Sequence, residues 1–335
     1  MIKLGIIGFG YWGPNLVRNF SGNKNFQVKM VADSRQERLD VVNRQYPSIK
    51  TVLNPDDIIN DPEIDAVAIA TPVFAHHKLA KGALLNGKHV VLEKPMTSSS
   101  AEAEELIELS LAKGLSLMVD HTFLYTGAVQ KIKQLIDEDT IGQVKYLDST
   151  RINLGLFQPD INVLWDLAPH DISIMDHLVN EKPYSLNASG VSHTKNGLEN
   201  IAFLTVNFES GFIAHFNCSW TSPVKIRLML IGGDKKMIVF NDVEPTEKIK
   251  IYDTGYSVKN DEDKQKLLVD YRSGDIFIPK TPSTEALALM AEDFAQSILN
   301  KKTPVADFKS GLSVIKILEA SNESLRNQGK EIIIK

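Results

Sequence analysis

Cysteine is nearly missing from this chain of 335 residues, with Cys218 the only one. A lone thiol excludes an internal disulfide framework and any cysteine-based zinc site, and it fits a reducing cytoplasm. A basic excess is missing too: 37 Lys and Arg stand against 42 Asp and Glu, for a formal net charge of -5. That balance gives no footprint for a nucleic-acid backbone or an anionic membrane surface. Long hydrophobic runs are also lacking. The apolar stretch after Met1 is too short for a signal-peptide core or a membrane span, so a mature protein starting at Met1 is expected. With 43% hydrophobic and 24% charged residues, the chain reads as a globular, cytoplasmic protein of two domains that acts on a small molecule.

What is present begins with punctuation. The run Ile2 to Ile7 is almost continuously apolar and bounded by glycine, as in a buried parallel strand. Pro14 then opens a helical pattern. Strands are expected at Gln27 to Ala32, Lys50 to Leu53, Ala66 to Ala70, His89 to Leu92 and Ser116 to Asp120, with helical stretches between them. This β-α-β order predicts a doubly wound parallel sheet of the Rossmann type over residues 1–121. After Gly142 longer alternating runs predict antiparallel strands at 143–153, 185–193, 202–208, 211–220, 225–232 and 236–240. Residues 122–335 are therefore expected to form an α+β domain with a large, open, mostly antiparallel sheet. Helices at 286–299 and 309–326 should pack back toward the core, and the charged stretch 259–266 should be the least ordered.

The loop Gly8-Phe9-Gly10-Tyr11-Trp12-Gly13 lies between the first strand and the first helix, the context in which such a pattern reads as a dinucleotide fingerprint. Gly8 permits the turn, Gly10 admits the pyrophosphate, and Gly13 lets helix and strand pack closely. Asp33 follows Gly13 by 20 residues at the end of the second strand and can accept hydrogen bonds from an adenosine ribose. In the segment Asp33-Ser34-Arg35 the carboxylate favours NAD, while the Arg35 guanidinium leaves NADP open.

Four motifs follow in order: GFGYWG, ATPVFAHH at 70–77, Glu93-Lys94-Pro95, and DLAPHD at 166–171. With them the sequence resembles the glucose-fructose oxidoreductase, inositol dehydrogenase and MocA family over nearly its whole length. The resemblance implies an active site in a cleft between a Rossmann domain and an open-sheet domain, and a homodimer or homotetramer assembled through that sheet. It implies that Thr71 and Pro72 lie against the cofactor with His76 nearby, and that Glu93, Lys94 and Pro95 sit under the nicotinamide. It names Lys94 as the catalytic lysine and maps an Asp-x-x-x-His motif onto Asp166 and His170.

The chemistry fits these residues. Oxidising a secondary alcohol requires a base for the hydroxyl proton and a cation for the oxygen. His170 is assigned as the base and Lys94 as the ammonium, with exchanged roles left open. Asp166 lies four residues before His170, on the same face if the segment is helical, and can then hold the imidazole. Asp166, His170, Asp171 and Asp176 cluster in sequence but lack the spacing of a zinc motif, so no metal is expected.

The segments 121–129 and 151–171 are similar to a nucleotide-sugar branch that includes UDP-N-acetylglucosamine 3-dehydrogenases. Candidate substrate contacts are His121, Tyr125, Arg151, Asn153, Asn162 and Trp165, with Arg151 able to pair with a diphosphate. The alternatives are a free polyol or sugar dehydrogenase, a redox-assisted glycosidase, and a non-catalytic NAD(P)-sensing regulator.

Overall fold

The computed structural model describes residues 1–253, 255–257, 270–272 and 274–334, so the charged stretch 259–266 lies outside the described residues. Two compact units are present: Met1–Tyr125 with Thr284–Lys316, and Thr126–Ser283 with Ile317–Lys335.

The first unit is built on β1 (Ile2–Ile7), β2 (Phe26–Ala32), β3 (Lys50–Val52), β4 (Ala66–Ile69), β5 (His89–Glu93) and β6 (Leu117–Asp120). These strands are parallel, in the order β3-β2-β1-β4-β5-β6. Leu4, Ile6, Val67, Ala68, Val90 and Leu92 are fully buried, as expected of strands covered on both faces by crossover helices. The order reverses between β1 and β4, and at such a switch point the carboxyl ends of the strands leave a crevice for a ligand. The helix Ala286–Leu299 returns to this unit and packs on the helix Gly13–Gly22. Its Phe294 lies 6.4 Å from the Phe20 ring and 5.9 Å from that of Phe26.

The second unit carries a sheet of nine strands: β7 (Val144–Leu154), β8 (Ser185–Val191), β9 (Ile201–Asn207), β10 (Ile213–Ser219), β11 (Thr221–Gly233), β12 (Met237–Asn241), β13 (Ile249–Tyr252), β16 (Ile276–Phe277) and β17 (Ile332–Ile333). A separate ribbon pairs β14 (Gly255–Ser257) with β15 (Asp270–Arg272). Pairing in the large sheet is antiparallel except between β10 and β7. Strict alternation explains its one-sided core. Ala202, Leu204, Val206, Ala214, Phe216 and Cys218 are buried on the side of the helix Val163–Leu178, while Phe203, Ile213 and Tyr146 stay exposed. The helix Val163–Leu178 runs through Pro169 without ending, so Asp166 and His170 stand one turn apart on it.

Candidate active site

Each glycine of the loop after β1 meets a different need. Gly8 has φ +100°, and a Cβ there would lie 2.3 Å from the Ala70 carbonyl oxygen. At Gly13 a Cβ would meet the Gly8 carbonyl oxygen at 2.4 Å. A Cβ on Gly10 would meet only the Arg35 Nη2, at 3.8 Å, so nothing inside the protein requires glycine there. A ligand does: a bare backbone lets a pyrophosphate approach the start of the helix Gly13–Gly22, whose first turn has no side-chain cap. The loop thus fits a dinucleotide. Gly10→Ala should change the stability of the free protein by less than about 1 kcal/mol, yet weaken NADH binding at least tenfold, roughly what one lost charge-assisted contact costs. Thermal melts and titration of NADH fluorescence measure the two effects. Gly8→Ala, by contrast, should lower the melting temperature without any ligand.

Asp33 holds this loop. Its Oδ2 accepts the Phe9 N–H at 2.8 Å, and its Oδ1 accepts the Arg35 N–H at 3.0 Å and Arg35 Nε at 3.1 Å. Burial works to raise the carboxyl, but the Arg35 and Phe9 hydrogen bonds outweigh it and keep Asp33 below the usual carboxylate range. Ser34, Arg35 and Tyr11 are exposed around it.

The Thr71–Pro72 turn and the Lys94–Pro95 bond, which is cis, are braced by one buried imidazole. His76 Nε2 lies 2.8 Å from the Thr71 carbonyl oxygen and Nδ1 lies 3.0 Å from that of Pro95. Burial lowers its pKa despite these carbonyls, and a neutral ring donates to only one of them at a time. His76 thus braces two turns at once.

Beyond β5 and β6 a charged cluster forms. Glu93 and Asp120 are register partners at the strand ends. The Glu93 carboxylate accepts the Lys94 N–H, and burial together with Asp120 pushes its pKa up to about 8. Asp120 accepts Trp12 Nε1 at 3.0 Å and Thr122 Oγ1 at 2.5 Å; burial raises it, opposed by these donors and by the Lys94 charge. Burial and Lys94 drive His121 down to about 3, so it is neutral. Both His121 ring nitrogens and Thr71 Oγ1 are buried with no hydrogen-bond partner among the described residues.

In the second unit Asp166 Oδ2 accepts Trp220 Nε1 at 2.9 Å, and the partly exposed His170 takes the Ser173 hydroxyl on its backbone carbonyl at 2.8 Å. Several residues considered for substrate are engaged elsewhere. Arg151 and Asp171 form a buried two-point pair at 2.6 and 2.9 Å, through Nη2 and Nε. The Tyr125 hydroxyl is buried, donating to Asp293 at 2.8 Å and accepting the Ala306 N–H at 3.2 Å. Asn162 caps the helix Val163–Leu178 through the Trp165 N–H at 3.2 Å, and Trp165 is buried behind it. Asn153 is half-buried near the end of β7. The sequence motifs do not single out Asp120 and Thr122; the signal for them is an Asp closing a buried strand at the carboxyl edge of the sheet.

A doubly wound sheet with this glycine loop and Asp33 defines a nicotinamide-dinucleotide-binding oxidoreductase fold. Residues 2–121 match the model of an oxidoreductase family with an NAD-binding Rossmann fold, and residues 129–239 match that of the GFO/IDH/MocA C-terminal domain. The chain belongs to the GFO/IDH/MocA oxidoreductase family. It is 31% identical over 189 residues to the uncharacterized oxidoreductase YdgJ of Escherichia coli K12, a match spanning 50% of this chain and 51% of that one. It is 25% identical over 351 residues, 98% of this chain and 94% of the other, to the scyllo-inositol 2-dehydrogenase (NADP(+)) IolW of Bacillus subtilis 168. The UDP-N-acetylglucosamine 3-dehydrogenase of Acidithiobacillus ferrooxidans is 29% identical over 227 residues, 65% of this chain and 67% of that one. The solved structure of that enzyme, GnnA, has the same fold, with a TM-score of 0.80 at 24% identity over 98% of each chain.

Proposed function

We propose that this chain transfers a hydride between NAD and a secondary alcohol or ketone of a sugar, and that the sugar is carried on a nucleotide, as UDP-N-acetylglucosamine oxidised at its 3-position. The observation that carries the redox part is the shared carboxylate: Asp120 bonds Trp12 of the glycine loop and also feels the charge of Lys94, which ties the candidate lysine to the cofactor loop. Bound NAD would supply the hydride chemistry. The Gly8 to Gly13 loop, Asp33, Ser34, Arg35, Thr71, Pro72 and the segment Glu93 to Pro95 would hold it. Lys94 holds and polarises the reacting oxygen, and His170 takes the hydroxyl proton, steadied by Asp166 one turn away. Asp33 supports NAD over NADP, because a 2′-phosphate about 4 Å from its carboxylate meets a repulsion of roughly 4 kcal/mol at an effective dielectric of about 20.

The nucleotide part rests on likeness to the 3-dehydrogenase and on the segments 121–129 and 151–171. A second reading, a free polyol or sugar dehydrogenase, is favoured by the Arg151–Asp171 pair, which removes one candidate diphosphate contact. The exposed sheet face bearing Tyr146, Phe203 and Ile213 supports self-association as a homodimer or homotetramer. The buried single thiol supports a cytoplasmic setting, and no helix among the described residues is long and apolar enough to cross a membrane.

Absorbance of the reduced cofactor tests the reading, with NAD and NADP each offered UDP-N-acetylglucosamine, free N-acetylglucosamine, glucose and inositols. Turnover with the nucleotide sugar and NAD is expected. Turnover with free polyols alone replaces the substrate, a strong NADP preference overturns the role of Asp33, and inactivity throughout leaves the sensor reading standing.

A further inference from the structure

The glycine loop is pinned at two points by two different carboxylates. Asp33 takes the Phe9 N–H at 2.8 Å at its inner end, and Asp120 takes Trp12 Nε1 at 3.0 Å at its outer end. Between them Tyr11 is 93% exposed, and Gly10 has only the Arg35 guanidinium near it, so the outer end depends on Trp12. Asp120 itself is 3% exposed and braced on its other oxygen by Thr122 Oγ1 at 2.5 Å. The groups facing it are Glu93 and Lys94 from the end of β5, and Tyr125 from the segment after β6. His121 is held neutral, and the Lys94 charge works to lower both Glu93 and Asp120 against their burial. A buried acceptor that takes two donors and lies at the strand end beside Lys94 is a rigid junction.

We propose that Asp120 is a positioning residue that couples the glycine loop to Lys94, so that ordering the loop around the dinucleotide also fixes the ammonium that meets the substrate. This rests on the reading of the loop and of Lys94 given above. Asp120 touches no reacting atom; it acts through Trp12 on one side and Lys94 on the other.

The test is a double-mutant cycle on the full chain with Asp120→Asn and Trp12→Phe, with NADH as the titrated probe. Trp12→Phe should weaken NADH binding by about tenfold, the scale of one buried hydrogen bond, and Asp120→Asn by less, because its amide oxygen can still accept the indole N–H. The double variant should bind no worse than Trp12→Phe, because both act on the same link. In turnover at saturating cofactor, Asp120→Asn should lower kcat more than Trp12→Phe does, since only the former changes the side chain that faces Lys94. The wild-type emission minus that of Trp12→Phe isolates Trp12 from Trp165 and Trp220, and this difference should change when NADH binds. Losses that multiply in the double variant, or unchanged affinity in Trp12→Phe, overturn the coupling. If Asp120→Asn does not fold, Trp12→Phe alone decides, and full NADH affinity in it overturns the proposal. A wild-type chain that binds no NADH sinks the functional reading and the coupling with it; wild-type binding with indifferent variants sinks the coupling alone.

Discussion

Lys94→Ala should lower kcat/KM by about a thousandfold, the scale at which a positioned group acting on a reacting oxygen contributes. The loss should fall mainly on kcat, because the ammonium is needed most when charge develops on that oxygen. NADH affinity should change less than about tenfold, because in the proposed reading Asp33 and the glycine loop carry most of the dinucleotide contact. Steady-state kinetics on the substrate found in the panel, beside an NADH titration, measure both. A variant with unaltered kcat/KM would falsify the assignment of Lys94. A variant that loses cofactor and turnover together would instead make Lys94 a binding residue.

The second large effect is on stability. Arg151→Ala should cost about 3–5 kcal/mol, because it strands the Asp171 carboxylate inside the second unit. Arg151 and Asp171 are both about 4% exposed, and Ser149 Oγ, at 2.9 Å from Asp171, cannot replace a guanidinium. Burial opposes the Arg151 charge, and the adjacent Asp171 more than restores it. Replacing both partners by apolar residues, Arg151→Met with Asp171→Leu, should recover much of the loss, since it removes the desolvation cost along with the pair. Urea denaturation provides the measurement. A single variant within about 1 kcal/mol of the wild type would mean that water already screens the pair.

Much of the first unit was legible in the sequence because its signals are local. An apolar run, a glycine turn and a helix start lie within about twenty residues of each other. The backbone demand at Gly8, with φ +100°, is one that few other residues meet. The alternation of β9 and β10 likewise predicted a one-sided sheet, and Ala202, Leu204, Ala214 and Phe216 are buried accordingly. Pro169 obscured the helix that carries Asp166 and His170, since a proline argues for a boundary; packing of Ala168, Ile172 and Met175 against the sheet carries the helix through it.

The sequence by itself determined the order of strands and helices, the dinucleotide loop and the acid that closes it, because each is set by neighbouring residues and by backbone conformations only certain residues adopt. Tertiary structure alone decided which polar groups meet. Trp12 finds Asp120 across 108 positions, Tyr125 finds Asp293 across 168, and Arg151 turns to Asp171 instead of remaining open to a ligand. Such pairs have no local signature: a buried charge or hydroxyl takes whatever partner the fold brings within about 3 Å, because leaving it without one costs more than any local preference.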